Sequence, residues 1–130
     1  MKRLSGAWGE RVARRHALWR GATLVAANPR TSGGELDLVL RHWVAGLRPA
    51  SWGVWVFAEV KTRRASERLA LEAVDRHKQR RVVRAAQTWL LARGLEPDQL
   101  RVRFDVFAVT LNERGRPKVT WIQGAFEAYD

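Results

Sequence analysis

Residues 54–63 read VWVFAEVKTR, an apolar run that turns ionic at Glu59 while keeping the look of a strand. Alternate side chains of a strand share a face. Val54, Val56, Ala58 and Val60 therefore fall on one aliphatic side, and Trp55, Phe57, Glu59 and Lys61 fall on the other. A carboxylate and an ammonium at the end of a buried strand are costly unless they are paired or used.

Upstream, residues 34–40 read GELDLVL, a second alternating strand. Leu36, Leu38 and Leu40 are expected on one face, with Glu35, Asp37 and Val39 on the other. Residues 42–53, HWVAGLRPASWG, carry two glycines and a proline and read as a long hairpin connection between these strands. Burial of the aliphatic faces fixes how the strands pair. The acid-bearing faces then coincide, and Asp37 is expected near Glu59 and Lys61.

Two close carboxylates repel one another. Mg²⁺ (or Mn²⁺) removes the conflict, because it takes one or two carboxylates together with water and phosphate oxygens. A lysine on the same face can hold the attacking water and stabilise charge growing on phosphorus. The expected chemistry is phosphodiester hydrolysis, with Asp37 and Glu59 as metal ligands and Lys61 as the group that positions water. A Glu-x-Lys pair on a strand is by itself usually a solvated ion pair. The acid on the neighbouring strand and the charge of the whole chain argue against that reading here.

Lys and Arg number 24 against 13 Asp and Glu, a net charge of +11. Such a balance on a small domain points to a polyanionic partner, above all nucleic acid, and DNA rather than RNA. A chain of 130 residues with 46% hydrophobic content is expected to fold as one domain over residues 1–130. With no cysteine, a disulfide framework, a thiolate metal site and a thiol nucleophile are excluded. The first residues have no apolar centre of the secretory type, and no apolar run approaches the ~20 residues that cross a bilayer. A cytoplasmic protein without a membrane partner is expected.

Residues 6–21 read as a helix capped by Ser5 and closed by Gly21. Its wheel sets Glu10, Ala13 and Ala17 against a bulkier stripe of Trp8, Val12 and Trp19, so the exposure of Glu10 depends on which side packs. ATLVAAN is strand-like and stops at Asn28-Pro29, and RTSGG reads as a flexible loop. The longest helix lies within residues 63–94, with Leu71, Val74, Val82, Ala85, Ala86, Trp89 and Leu90 on one side and Gly94 at its end. RVRFDVFAVTL and KVTWIQGAF complete a central mixed five-stranded sheet flanked by helices, an α/β fold. Asp105 is expected to partner an arginine across strands. Phosphate contacts are expected from Arg30, Arg63, Arg64, Lys78, Arg80, Arg81 and Arg84. His16, His42 and His77 form no ligand spacing, and Trp43 and Trp52 are candidates for stacking on bases.

GELDLVL, VFAEVKTR, AVDRHKQRRVVRAAQTWL and RFDVFAV, in this order and over nearly the whole chain, resemble the YraN-type family of small bacterial proteins. That family is related by fold to the PD-(D/E)XK endonuclease-like superfamily and to archaeal Holliday-junction resolvases. The resemblance implies a restriction-endonuclease-like core with Asp37 and Glu59 in the metal-ligand positions and Lys61 as the motif lysine. It implies further that Glu10 is a helix acid approaching the metal site, that Gln79 belongs to the site wall, that the substrate is branched or structured DNA, and that a homodimer is the working form. The Pro-Asp of the superfamily's name is absent, since Leu36 precedes Asp37. Two other classes remain open at this point: a non-catalytic nucleic-acid-binding module, and an interaction protein whose basic face meets an acidic partner.

Overall fold

The computed structural model describes residues 5–43, 53–62 and 74–128. Helix α1 (Gly6–Leu18) starts at Ser5, whose hydroxyl accepts from the Trp8 amide at 3.1 Å. Strand β1 (Ala22–Ala27) follows, then the short pair β2 (Arg30–Thr31) and β3 (Gly34–Glu35), then β4 (Leu38–His42) and β5 (Val54–Thr62). Helix α2 (Arg76–Ala92) is capped by Asp75, whose carboxylate accepts from the Lys78 amide at 2.9 Å. Strands β6 (Val102–Leu111) and β7 (Pro117–Phe126) complete the chain.

The five long strands form one mixed sheet in the order β1-β4-β5-β6-β7. All neighbours are antiparallel except β5 and β6, which run parallel and are connected through the segment carrying α2. The fold is α/β with a five-stranded sheet between helices, compatible with the restriction-endonuclease-like architecture. β4 and β5 pair as the hairpin expected, with Leu38 opposite Ala58 and His42 opposite Val54. Among the described residues no helix is long and apolar enough to cross a membrane.

Two cores result, one on each face of the sheet. Leu38, Leu40, Val54, Val56, Ala58, Phe107 and Val109 pack against Ala13 and Ala17 of α1, with Val60 partly buried beside them. Val39, Phe57 and Phe104 pack against Val82, Val83, Ala85, Ala86, Trp89 and Leu90 of α2. The two faces of β5 are thus the expected ones. Leu36 is not where alternation places it. It joins Val39 and Phe57 on the α2 side, because β4 begins only at Leu38 and the chain turns before it. The Leu36 amide donates to the Pro29 carbonyl at 3.2 Å, and the Asn28 amide to the Asp37 carbonyl at 2.8 Å.

Three further expectations are corrected or refined. RTSGG is not a plain loop: it forms the turn of the β2–β3 hairpin, in which Arg30 faces Glu35, and that hairpin leans on α2. α1 buries its small side, Gly9, Ala13 and Ala17, while Trp19 is 82% exposed. Small residues let a helix approach a sheet closely, and Gly9 requires this: a Cβ there would overlap Thr62. Val74 is buried but precedes α2, which starts at Arg76, and Leu71 lies outside the described residues.

Asp105, fully buried on β6, is held by donors mostly unlike the one expected. Arg103 on the same strand meets it with two nitrogens at 2.9 and 2.8 Å. From β7, Trp121 Nε1 donates at 2.8 Å and the Gly124 amide at 2.9 Å. β7 bulges to deliver that amide: Phe104 pairs with Phe126 but Val106 with Ile122, and Gly124 adopts a φ of 62° that a side chain would resist. Arg103 also reaches His42 Nδ1 at 2.9 Å, and the His42 ring packs 4.8 Å from Trp121. This buried lock joins β4, β6 and β7 on the face of the sheet opposite Glu59.

Candidate active site

Asp37, Glu59 and Lys61 converge where β4 begins and β5 nears its end. Asp37 occupies the bend that leads into β4, and its Oδ2 accepts from the Val60 amide of β5 at 2.9 Å. A bend residue has no ladder partner of its own, so the side chain is free to take a main-chain donor of the neighbouring strand. Glu59 lies on the α2 face of β5 and is only 6% exposed. Its carboxyl is hydrogen-bonded to that of Asp37.

The electrostatics follow from this proximity. Burial, then the hydrogen bond to Asp37 and the Asp37 charge, push the Glu59 carboxyl up to about 8, against the pull of Lys78 and Lys61. Burial and the neighbouring Asp37 carboxyl thus both favour the protonated form of Glu59. Lys61 is drawn down to about 8, first by burial, then by contact with Lys78 and its charge, with Glu59 and Asp37 acting the other way. Lys78 was expected to touch phosphate. It projects from the first turn of α2 toward Lys61 and Glu59, so two amines and two carboxyls lie close together.

Glu10 approaches from the opposite helix. Its Oε1 accepts from Asn28 Nδ2 at 2.8 Å, and its carboxyl is raised by burial and by the nearby Asp37 charge, with the Asn28 bond opposing. The buried alanine side of α1 thus does turn Glu10 toward the acids. Among the described residues, however, no three of the Asp, Glu and His side chains gather tightly enough to hold one metal ion. Asp37 and Glu59 form the tight pair, and Glu10 stands off, held by Asn28.

Asn28 is the residue that sequence reading missed, having taken it only for a turn signal. Its φ of 52° is left-handed, a conformation Asn tolerates better than most residues. That twist lets the backbone bond Asp37 while the side chain bonds Glu10. An Asn-Pro directly after a strand was the available clue. Gln79 donates its Nε2 to the Val74 carbonyl at 3.0 Å, and so secures the segment entering α2.

The other expected phosphate contacts are scattered. Arg30 is ion-paired with Glu35 at 3.2 Å on the exposed hairpin. Arg81 is exposed on the hairpin side of α2, its carbonyl near Gly34. Arg63, Arg64 and Trp52 lie outside the described residues. Trp43 is half exposed, with Arg41 packed over its ring and over Trp55 at 5.1 and 4.2 Å.

Comparison with known proteins places the sequence in a family. The profile described as "Uncharacterised protein family UPF0102" matches residues 9–109, a span reaching from Gly9 to Val109 and including all the residues just described except those of β7. The chain belongs to UPF0102. This is the YraN-type family that the motifs resemble. A UPF0102 protein of Pectobacterium carotovorum is 40% identical over 126 residues, covering 96% of this chain and 95% of its own. One from Corynebacterium glutamicum is 42% identical over 120 residues, covering 92% and 88%. One from Syntrophotalea carbinolica is 42% identical over 129 residues, covering 97% and 94%.

Proposed function

We propose that this UPF0102 protein is a metal-dependent phosphodiester hydrolase acting on DNA. The observation that carries the reading is the Asp37–Glu59 pair: two carboxyls brought into contact at a buried place, where one must keep a proton. A stability-driven surface has no reason for such a pair, since close buried acids repel. A divalent cation is the natural replacement for that proton, and two carboxylates with room for water and phosphate oxygen suit Mg²⁺ or Mn²⁺. When bound, such an ion supplies Lewis-acid stabilisation of the charge developing on a phosphoryl group.

The chain's own residues do the rest. The Val60 amide fixes one oxygen of Asp37, so that carboxylate is oriented before any ligand arrives. Lys61, two residues from Glu59 on the same face, is placed to hold the attacking water and to answer charge on the phosphate. Lys78 adds a second amine beside the acids, which strengthens the attraction for an anionic substrate. The net charge of +11 supports a polyanionic substrate. The physiological form we infer is cytoplasmic, on branched or structured DNA, working as a homodimer that places one site against each strand.

Calorimetric titration of Mn²⁺ should give saturable binding that Asp37→Asn and Glu59→Gln abolish. Linear, flapped and four-way junction DNA should be cut in Mn²⁺ by the wild type and not by Lys61→Ala. Wild-type protein that binds DNA but neither takes up the cation nor cuts would reduce the proposal to a binding module.

A further inference from the structure

Of the exposed arginines, three act together. Arg76, Arg80 and Arg84 project from successive turns of α2 along one edge of a cavity of about 540 Å³, between that helix and the C-terminal end of β7. Val83 and Phe126 also line it, with Gln79 and Gln87 on its helical side. Phe126 is a firm platform, stacked on Phe104 at 5.3 Å between centroids. Among the described residues none of the three guanidiniums forms an ion pair, although each is exposed. Glu127 is the single carboxylate among the described lining residues, outweighed three to one.

We infer that this groove is a second binding site, one that takes the sugar-phosphate backbone of a nucleic-acid strand leaving the carboxylate cluster. The inference deepens the proposed function and rests on it for the identity of the polyanion. Arginines four residues apart rise about 6 Å per step, so the three cover about 12 Å along the helix. They form a row of guanidiniums of the kind that holds consecutive phosphates. An apolar floor beside a cationic edge suits a strand that carries flat bases as well as charge, and is wasted on an inorganic anion. Gln79 has its amide nitrogen engaged by Val74, which leaves its oxygen to accept from a base or sugar. The location agrees: Gln79 lines the groove while the adjacent Lys78 meets Lys61 and Glu59. The groove therefore begins at the turn of α2 that borders the acids, and runs away from them along the helix axis. Arg30 and Arg81, on the hairpin side, are outside it.

The test is fluorescence anisotropy with a labelled single-stranded oligonucleotide and a labelled four-way junction, in EDTA, across a salt series. Arg80→Ala/Arg84→Ala should weaken binding by about tenfold or more and make the slope of log affinity against log salt shallower by about 1.4 for the single strand. Arg14→Ala/Arg15→Ala, which removes equal charge from exposed positions of α1 on the other face of the sheet, should leave both nearly unchanged. Equal losses from the two pairs would mean diffuse charge attraction and overturn the inference, as would wild-type affinity in the Arg80/Arg84 pair. A polyglutamate peptide that displaces the oligonucleotide as well as unlabelled DNA does would overturn it in favour of an acidic protein partner. Because no cation and no cleavage enter this measurement, loss of the hydrolase reading leaves the groove standing, and loss of the groove leaves the Mn²⁺ titration untouched.

Discussion

Glu59 and Asp105 are buried acids on neighbouring parallel strands, one register step apart and on opposite faces of the sheet: Asp105 lies beside Ala58, and Glu59 beside Val106. Their surroundings are opposite in kind. Asp105 receives hydrogen bonds from Arg103, Trp121 and the Gly124 amide, a full set for a carboxylate. Glu59 faces a second carboxyl, and burial pushes its own carboxyl up to about 8. One acid has its charge met by protein donors, and the other has a second acid as its neighbour. Perturbed titration in a cleft marks functional sites more often than structural ones.

Glu59→Gln should therefore stabilise the metal-free protein. The folded-state value of about 8 lies above the ordinary 4.5, so the folded protein binds more protons than the unfolded chain between these limits. Stability then falls as pH rises from 4.5 to 8. Glutamine removes that loss, and the variant should exceed wild type by roughly 1–3 kcal/mol at pH 7.5, with the gap closing toward pH 4.5. Urea melts with chelator at both pH values measure it. A variant less stable than wild type at pH 7.5 would show that Glu59 is an ordinary structural acid.

Asp105→Ala should behave in the opposite way. It strands a guanidinium, an indole N–H and a main-chain amide in the interior, a loss of about 3–5 kcal/mol. Asp105→Asn, which keeps the shape and part of the bonding, should fall between. Thermal denaturation of the three proteins ranks them, and divalent-cation binding by whatever remains folded should be unaltered.

His42 makes the same lock sensitive to acid. Burial and the Arg103 charge lower its ring below 6.5, while a bond to the Arg20 carbonyl and the Asp105 charge oppose the shift. With a depressed folded value, the unfolded chain takes up the proton first. The contribution of His42 is therefore full above pH 6.5 and is lost as pH falls through and below it. His42→Gln should flatten the decline in urea midpoint between pH 7.5 and pH 5. An unchanged decline would assign it to other groups, His16 included, whose ring is also lowered by burial and by Arg20.

Asn28 separates backbone from side-chain effects. Asn28→Gly keeps the left-handed turn and removes only the bond to Glu10, whereas Asn28→Ala adds about 1–2 kcal/mol of backbone cost. Both should weaken Mn²⁺ binding, and only the alanine should lower the melting temperature appreciably. Equal cation affinity in wild type and Asn28→Gly would remove Glu10 from the working site.

The faces of β5 were legible because nine consecutive strand residues keep one period, and the pairing with β4 followed from burial alone. Leu36 was misplaced because period counting assumes an unbroken strand, while main-chain bonds from residues 28 and 36 turn the chain there. The Arg103–His42 contact joins residues 61 apart in sequence, and no spacing rule reports a pairing that only the sheet order creates. Lys78 looked like surface charge for a related reason. Its direction depends on where α2 starts, and Asp75 rather than the apolar pattern decides that. Glu10 was ambiguous between two stripes of one helix, since volume, not polarity, chose the side that packs.

The docking of α1 through glycine and alanine has a mechanical consequence. Large side chains mesh like gear teeth and stop a helix from moving along its own axis; here Thr62 does this from the sheet by filling the notch at Gly9, where a Cβ would collide with it. Beside that notch and the packing of Trp8 and Val12, α1 has a polar fastening to Asn28 at Glu10 and an edge-on contact of His16 with Trp121. The reach of Glu10 is thus set by the adjacent glycine as much as by its own bond to Asn28, and any side chain larger than hydrogen at position 9 would lift the acid away from the sheet.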